Sequence, residues 1–443
     1  MRAPSIFASR PPMSAIPQFC AIDFGTSNSA VAVPRNGEMV LVPLEEGATT
    51  MPTATFYLGE GPDLQNLPRL VGRAAVAAYV EGTEGRLMRS MKSVLGSALM
   101  AQHTDVGGGR SVSFAEVIAS YLRHLKRCAE AHAGHALTAV VMGRPVFFVD
   151  DDPVRDAQAQ ASLEEAARAA GFEEVRFQFE PLAAAFDYES RIDTDQLVLV
   201  ADIGGGTSDF SIVQVGPGRR DRVDRHGDVL GHHGIHIAGT DFDRRIELCS
   251  ILSEFGFGAM GPSIGGQPAR EVPSRIYHDL ATWHLINSVY RPQRVQELRA
   301  MKINYGDLRH HTRLMRVVND HLGHDLLGRA EMAKIASAAG DEACIDLRLV
   351  ERGLSVTMSP AQAQRALDDD IGRIAAAALD TVRLAGLQTD QIDALYFTGG
   401  STGLHQLTDR LAAAFPRAKA LQGERLASVA SGLGLDARRR FGR

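Results

Sequence analysis

The chain has 443 residues, of which 45% are hydrophobic and 23% charged, enough apolar material for two or more folded units. Its formal net charge of -6 leaves no basic surplus for gripping phosphate backbones, so nucleic acid is not expected as a main partner. No apolar run approaches the ~18 residues of a membrane span, and a membrane partner is not expected either.

Residues 1–16 are rich in Pro, Ser and Arg, lack the apolar core of a secretory signal, and are expected to form a disordered tail; Met13 is an alternative start. Cys20, Cys128, Cys249 and Cys344 stand far apart, without zinc or CxxC spacing, and read as buried thiols of a cytoplasmic protein. The first strong pattern is 18–33, where apolar FCAI, the polar turn DFGTSNS and alternating SAVAV predict a hairpin. LTAVVM at 137–142 predicts a buried strand. The helix after it has Asp152 as N-cap, Pro153 at its first position and Gly171 past its end. In FEPLAAAF, Pro181 marks a helix start and puts Glu180 beside the helix N-terminus, where a plain capping role is one reading. Residues 196–215 then repeat the opening design as strand, Asp-x-Gly turn and strand, which predicts duplicated α/β units. From about 246 to 337 the pattern is helical and rich in His and Arg, as in an inserted subdomain. Ser359 and Pro360 open a helix running to about Gly386, and residues 395–415 read as strand, glycine turn and helix.

Three glycine turns carry the chemistry: Asp23 to Asn28, Asp202 to Thr207, and Thr398 to Ser401. Glycine lets backbone N–H groups approach phosphate oxygens because no Cβ stands in the way. A P-loop is excluded, since no Gly-Lys dipeptide occurs, and a Rossmann fingerprint is disfavoured because SDFSIVQV continues GGGT as a strand, not a helix.

IDFGTSNS, FEPLAAA, DIGGGTSD, AGTDFD and TGGST occur in the order found in the ATPase domain of the DnaK-type seventy-kilodalton heat-shock proteins. The chain resembles that family from about Gln18 to Asp436, in its YegD-like, ATPase-domain-only form. The resemblance implies an actin-like fold of two duplicated α/β lobes around a central nucleotide cleft, with a helical inserted subdomain. Lobe I would span 17–193 with an insert at about 37–110, and lobe II would span 194–443 with the helical insert at about 246–337.

It also implies ATP or ADP with magnesium as ligands. Asp23 and Asp202 would hold the hydrated metal, and magnesium chemistry agrees, since the ion keeps waters and takes one or two carboxylates. Lys92, Glu180, Asp202 and Thr207 would form the catalytic set, with Glu180 and Asp209 placing or deprotonating the attacking water. Gly25, Thr26, Ser27, Asn28, Gly204, Gly205, Gly206, Asp209, Gly239, Gly399, Gly400 and Ser401 would contact the nucleotide, with Glu331 and Lys334 on the nucleoside. Only five of the 47 basic residues are lysines, so Lys92 and Lys334 stand out where Arg is the default cation. The family's serine four residues after that second lysine is here Ala338, with Ser337 beside it; Arg329 and Asp241 are near-site candidates.

His232, His233 and His236 admit a metal or a purely structural reading. After Asp436 only ARRRFGR remains, so the family's peptide-binding domain is expected to be missing. An ATP-driven chaperone or regulator with an unknown protein partner or client is the favoured function. A filament-forming actin relative and a non-hydrolysing nucleotide sensor remain open, and a sugar or acetate kinase is disfavoured for want of a motif for the base and the substrate pocket.

Overall fold

A computed structural model describes residues 18–59, 68–107, 110–149, 152–263, 268–423 and 427–442; the tail expected over 1–16 lies outside them. The chain divides into two compact units. Unit 1 takes residues up to Val76, Glu84–Ala183 and those from Val429 on; unit 2 takes Ala77–Thr83 and Ala184–Ser428.

Unit 1 opens with β1 (Phe19–Phe24), β2 (Asn28–Arg35), β3 (Glu38–Leu41) and β4 (Thr50–Pro52). A small sheet of β5 (Ala54–Leu58), β6 (Arg69–Val71) and β7 (Gly85–Arg89) and the pair β8 (His103–Gly107) and β9 (Arg110–Ser113) fill the region expected as an insert. Helix α1 (Arg73–Val80) lies between β6 and β7. The long α2 (Phe114–Ala133) starts at a capping box of Ser113 and Glu116 and ends at Gly134 in the left-handed region, and its apolar stripe is buried in the unit 1 core. Next come β10 (Ala139–Arg144), α3 (Pro153–Ala169), β11 (Glu174–Phe179) and α4 (Glu180–Glu189). Asp152 caps α3 by accepting from the Arg155 N–H, with Pro153 in the first turn, as the sequence predicts. The main sheet runs β11-β10-β1-β2-β3, with β4 also on β2. β1 and β10 sit at its centre as parallel partners, which explains why both are near-continuous apolar runs.

In unit 2, β12 (Gln196–Ile203), β13 (Ser208–Val215) and β14 (Val229–Ile235) form an antiparallel meander. Helix α5 (Gly239–Ile246) continues into a π-helical turn, Glu247–Ile251, and a 3-10 turn, Leu252–Phe255. Then α6 (Arg275–Leu280), α7 (Ile286–Val289), α8 (Pro292–Ala300), α9 (Leu308–Asn319) and α10 (Gly323–Ala338) follow, with no strand among the described residues of this stretch. A hairpin the sequence reading did not anticipate, β15 (Ala343–Asp346) with β16 (Ser355–Met358), precedes α11 (Pro360–Leu384), which Ser359 caps. The unit closes with β17 (Ala394–Thr398), α12 (His405–Ala414) and β18 (Lys419–Gln422).

The unit 2 sheet runs β14-β13-β12-β17-β18, with β12 parallel to β17 and β17 parallel to β18. Reversed, that order corresponds strand for strand to β11-β10-β1-β2-β3. The internal echo in the sequence is thus a shared plan of hairpin, third antiparallel strand and two later parallel strands. The final helix, α13 (Ser428–Phe441), belongs to unit 1 from Val429 on. Leu433 and Ala437 are fully buried there, and Gly434 allows close approach to Ala32 and Met39.

Two sequence readings change. Of the four cysteines only Cys20 is buried: Cys249 and Cys344 are exposed, and Cys128 is half-buried. Cys344 alternates along β15 with buried Ala343 and Ile345, so the strand's two-residue period turns it outward. His232 and His233 are successive residues of β14 and point to opposite faces, which argues against a shared ligand role; His232 Nδ1 lies 3.0 Å from the Ser211 hydroxyl. No described helix is long and apolar enough to cross a membrane.

Candidate functional site

In unit 1 the loop between β1 and β2 is Gly25-Thr26-Ser27, and Asp23 is the last residue but one of β1, before Phe24. A Cβ on Gly25 would stand 2.2 Å from the Asn28 carbonyl oxygen, so the turn demands glycine. Ser27 C=O accepts from the Thr53 N–H at 2.9 Å, and Ser29 and Thr53 share a hydroxyl bond of 2.8 Å, which fixes the hairpin from one side. The N–H groups of Thr26 and Ser27 donate to nothing among the described residues.

Lys92 sits in a 3-10 turn, Met91–Val94, anchored by buried Met91 and entered through Ser90 at φ 55°. Its Nζ donates to Glu180 Oε1 at 2.5 Å, with the two side chains only 10% and 15% exposed. Glu180 does occupy the first turn of α4, yet its carboxylate holds the lysine instead of acting as a plain cap. Gly143 of β10 makes room for this pair: a Cβ there would lie 3.0 Å from Glu180 Cγ and 3.1 Å from its Oε1. Two residues predicted 88 positions apart in the chain are therefore one ion pair.

Unit 2 carries the other two turns. Gly204-Gly205-Gly206-Thr207 joins β12 to β13 and is closed by a Gly204 N–H to Thr207 C=O bond of 3.0 Å. Its carbonyls are held from behind. Gly239 N–H (3.2 Å) and Ser401 Oγ (2.7 Å) donate to Gly204 C=O, and Thr240 donates to Gly205 C=O through both N–H and hydroxyl at 2.8 Å. The N–H groups of Gly205 and Gly206 donate to nothing among the described residues. A loop whose oxygens are tied down and whose N–H groups face outward unpaired is a ready anion nest.

Asp202, the last residue but one of β12, lies directly opposite Asp209 on β13, so the two carboxylates project from the same face of the sheet. Asp209 Oδ2 accepts from the Thr207 hydroxyl at 2.8 Å. The third turn, Gly399-Gly400-Ser401, lies on the other side of β12: a Cβ on Gly399, at φ +87°, would meet Ile203 O at 2.4 Å and Asp202 Oδ1 at 2.7 Å. We expect Gly399→Ala to lower the melting temperature of the protein by several degrees and to weaken nucleotide binding, because the new methyl is strained and drives into Asp202; scanning fluorimetry with and without ADP measures both.

Lys334, in α10, pairs with Asp243 of α5 at 2.6 Å. Glu331 is exposed on the same helix. A cavity of about 250 Å³ opens beside Lys334, Ser337 and Ala338, closed on other sides by Leu367 of α11 and by Leu404 and His405 after the third turn. The sequence reading missed Asp243 and His405: AGTDFD presents two aspartates, of which it singled out the first, and HQLTD read only as helix. Of the near-site candidates, Arg329 donates to the Asp346 carbonyl at 2.7 Å and Asp241 accepts from the Ala238 N–H at 3.0 Å, both local structural ties.

A family model described as Hsp70 protein matches residues 63–256. The match supports the Hsp70 family, and with it a nucleotide-binding, chaperone-like function; Hsp70 proteins are ATPases that bind ATP and ADP. The Hsp70-matched span is less than half of the chain. It contains Lys92, Glu180, the Asp202 turn, Gly239 and Asp243, while the Asp23 turn, Lys334 and the Gly399 turn fall outside it.

Proposed function

We propose that the chain is a magnesium-dependent ATP-binding and ATP-hydrolysing protein of the Hsp70 ATPase-domain type, with an actin-like fold and a chaperone-like or regulatory role toward a protein partner. The observation that carries this reading is the Gly204–Thr207 turn, with its carbonyls tied from behind and the Gly205 and Gly206 N–H groups unpaired, beside Asp202 and Asp209. The strand-for-strand correspondence of the two main sheets supports the actin-like assignment.

Carboxylate oxygens are the ligands magnesium takes, and Asp202 in unit 2 and Asp23 in unit 1 are the residues proposed to hold it. When bound, the ion would neutralise phosphate charge. Gly205, Gly206 and Thr207, with Gly25, Thr26, Ser27 and Asn28 of unit 1, are the proposed phosphate contacts. Gly239, Gly399, Gly400 and Ser401 shape the nucleotide side of unit 2, with Glu331 and Lys334 toward the nucleoside and the 250 Å³ cavity as the base pocket. Glu180, held by Lys92, is the carboxylate proposed to orient the attacking water.

Isothermal titration with magnesium ATP tests the reading. Asp202→Asn is expected to lower magnesium-dependent affinity by about tenfold or more, since an amide lacks the charge that holds the hydrated ion. Equal affinity for parent and variant, or no ATP binding by the parent, would overturn it.

A further inference from the structure

Unit 2 holds two carboxyl groups for one ammonium. Asp243, with a side chain 13% exposed, contacts Lys334 Nζ at 2.6 Å. One helical turn on, Glu247 begins the π-helical turn; it is fully buried, and neither of its carboxyl oxygens has a hydrogen-bond partner among the described residues. A carboxylate in that position would cost several kcal/mol, so Glu247 is a neutral acid. Burial, and then the charge of Asp243, push its carboxyl far above the usual range.

Asp243 is the carboxyl that answers the lysine, and its balance is fine. Burial pushes it up to about 6 even with the Lys334 ammonium pulling the other way, and Glu331 and Asp241 add to the rise. Of the other charges on this segment, the Arg244 guanidinium lies 3.2 Å from His278 Nδ1. Asp370 of α11 is bound by Arg245 at 2.8 Å, and Tyr290, whose hydroxyl accepts from the Gly323 N–H, stays neutral opposite Glu247 because burial raises it to about 12.

We propose that Asp243 is a proton-exchanging positioning residue for Lys334: a nucleotide that engages the Lys334 ammonium withdraws it from Asp243, which takes one proton from solvent, so that nucleotide binding carries proton uptake. Glu247 cannot be the donor, since losing its proton would leave an unpaired carboxylate in the core. The inference rests on the reading of Lys334 as a nucleoside contact.

The test is titration calorimetry with magnesium ADP in buffers of different ionisation enthalpy, where the slope of observed heat against buffer enthalpy counts protons. At pH 7 the parent is expected to take up at least about 0.3 proton more than Asp243→Asn, and at pH 5, where Asp243 is already protonated before binding, the difference should shrink. Lys334→Met, in which Asp243 holds its proton from the start, should lack the uptake as well, and Glu247→Gln should keep it. Equal proton counts in the parent, Asp243→Asn and Lys334→Met, with binding intact, would overturn the inference and leave the nucleotide reading standing; loss of the uptake in Glu247→Gln would transfer the proton to Glu247. Failure of the parent to bind magnesium ADP would remove both.

Discussion

Replacing Lys92 with alanine is expected to lower single-turnover ATP hydrolysis by about a hundredfold or more, the usual cost of losing a positioned donor at a phosphoryl-transfer site. The side chain is not a solvated surface charge. It is 10% exposed and spends its ammonium on Glu180 Oε1 at 2.5 Å. Removing it takes away one donor and also releases the carboxylate proposed to orient the water. Lys92→Arg should fall clearly as well, although this chain prefers Arg elsewhere, because a wider guanidinium with its donors fixed in a plane cannot reproduce the ammonium's contact with Glu180 Oε1 in the same geometry. Magnesium ATP affinity should change far less than the rate in both variants. If both hydrolyse ATP at the parent's rate, Lys92 has no part in the chemistry.

The second large effect is on stability. Arg225 is fully buried and grips Glu189, also fully buried, through two bonds of 2.8 and 3.0 Å; its Nε donates to Asp228, and its guanidinium lies 5.3 Å over the Phe186 ring. Arg225→Ala strands Glu189 as an uncompensated charge in the core of unit 2, and breaking such a pair costs about 3–5 kcal/mol. We expect the urea midpoint of the variant to fall accordingly. Arg225→Met combined with Glu189→Met removes both charges and should recover much of the loss. An Arg225→Ala variant with the parent's midpoint at pH 8 would show that water reaches Glu189.

Local rules made much of this legible in advance. Asp-x-Gly between two β-like runs is enough to place both hairpins, and Asp152-Pro153 and Ser359-Pro360 mark helix starts because capping chemistry is local. The pairing of Lys92 with Glu180 was not legible, since nothing in either segment encodes their distance; Gly143, the residue that makes room, reads in sequence as an unremarkable strand glycine. Asp243 was hidden for a similar reason. Its neighbour Asp241 has the same chemistry but turns back to cap Ala238, and only the orientation of α5 decides which of the two meets α10. The outward faces of Cys249 and Cys344, and the β15–β16 hairpin, depend on what does not cover them, which composition cannot show.

The membership of α13 in unit 1 has a consequence for how the molecule is made. Unit 2 contains one long unbroken stretch of chain, 184–428, and can close its core of β12, β17 and α11 as soon as that stretch has been synthesised. Unit 1 cannot finish at its own turn. The backbone of Ala183, in α4, awaits Gly432, whose missing side chain is what allows the approach: a Cβ there would stand 1.8 Å from the Ala183 carbonyl oxygen. Phe19 and Phe441, with ring centroids 5.9 Å apart, meet only once residue 441 has been made. Closing so long a loop is slow on entropic grounds, so the part of the protein that is translated first should be the last to lock.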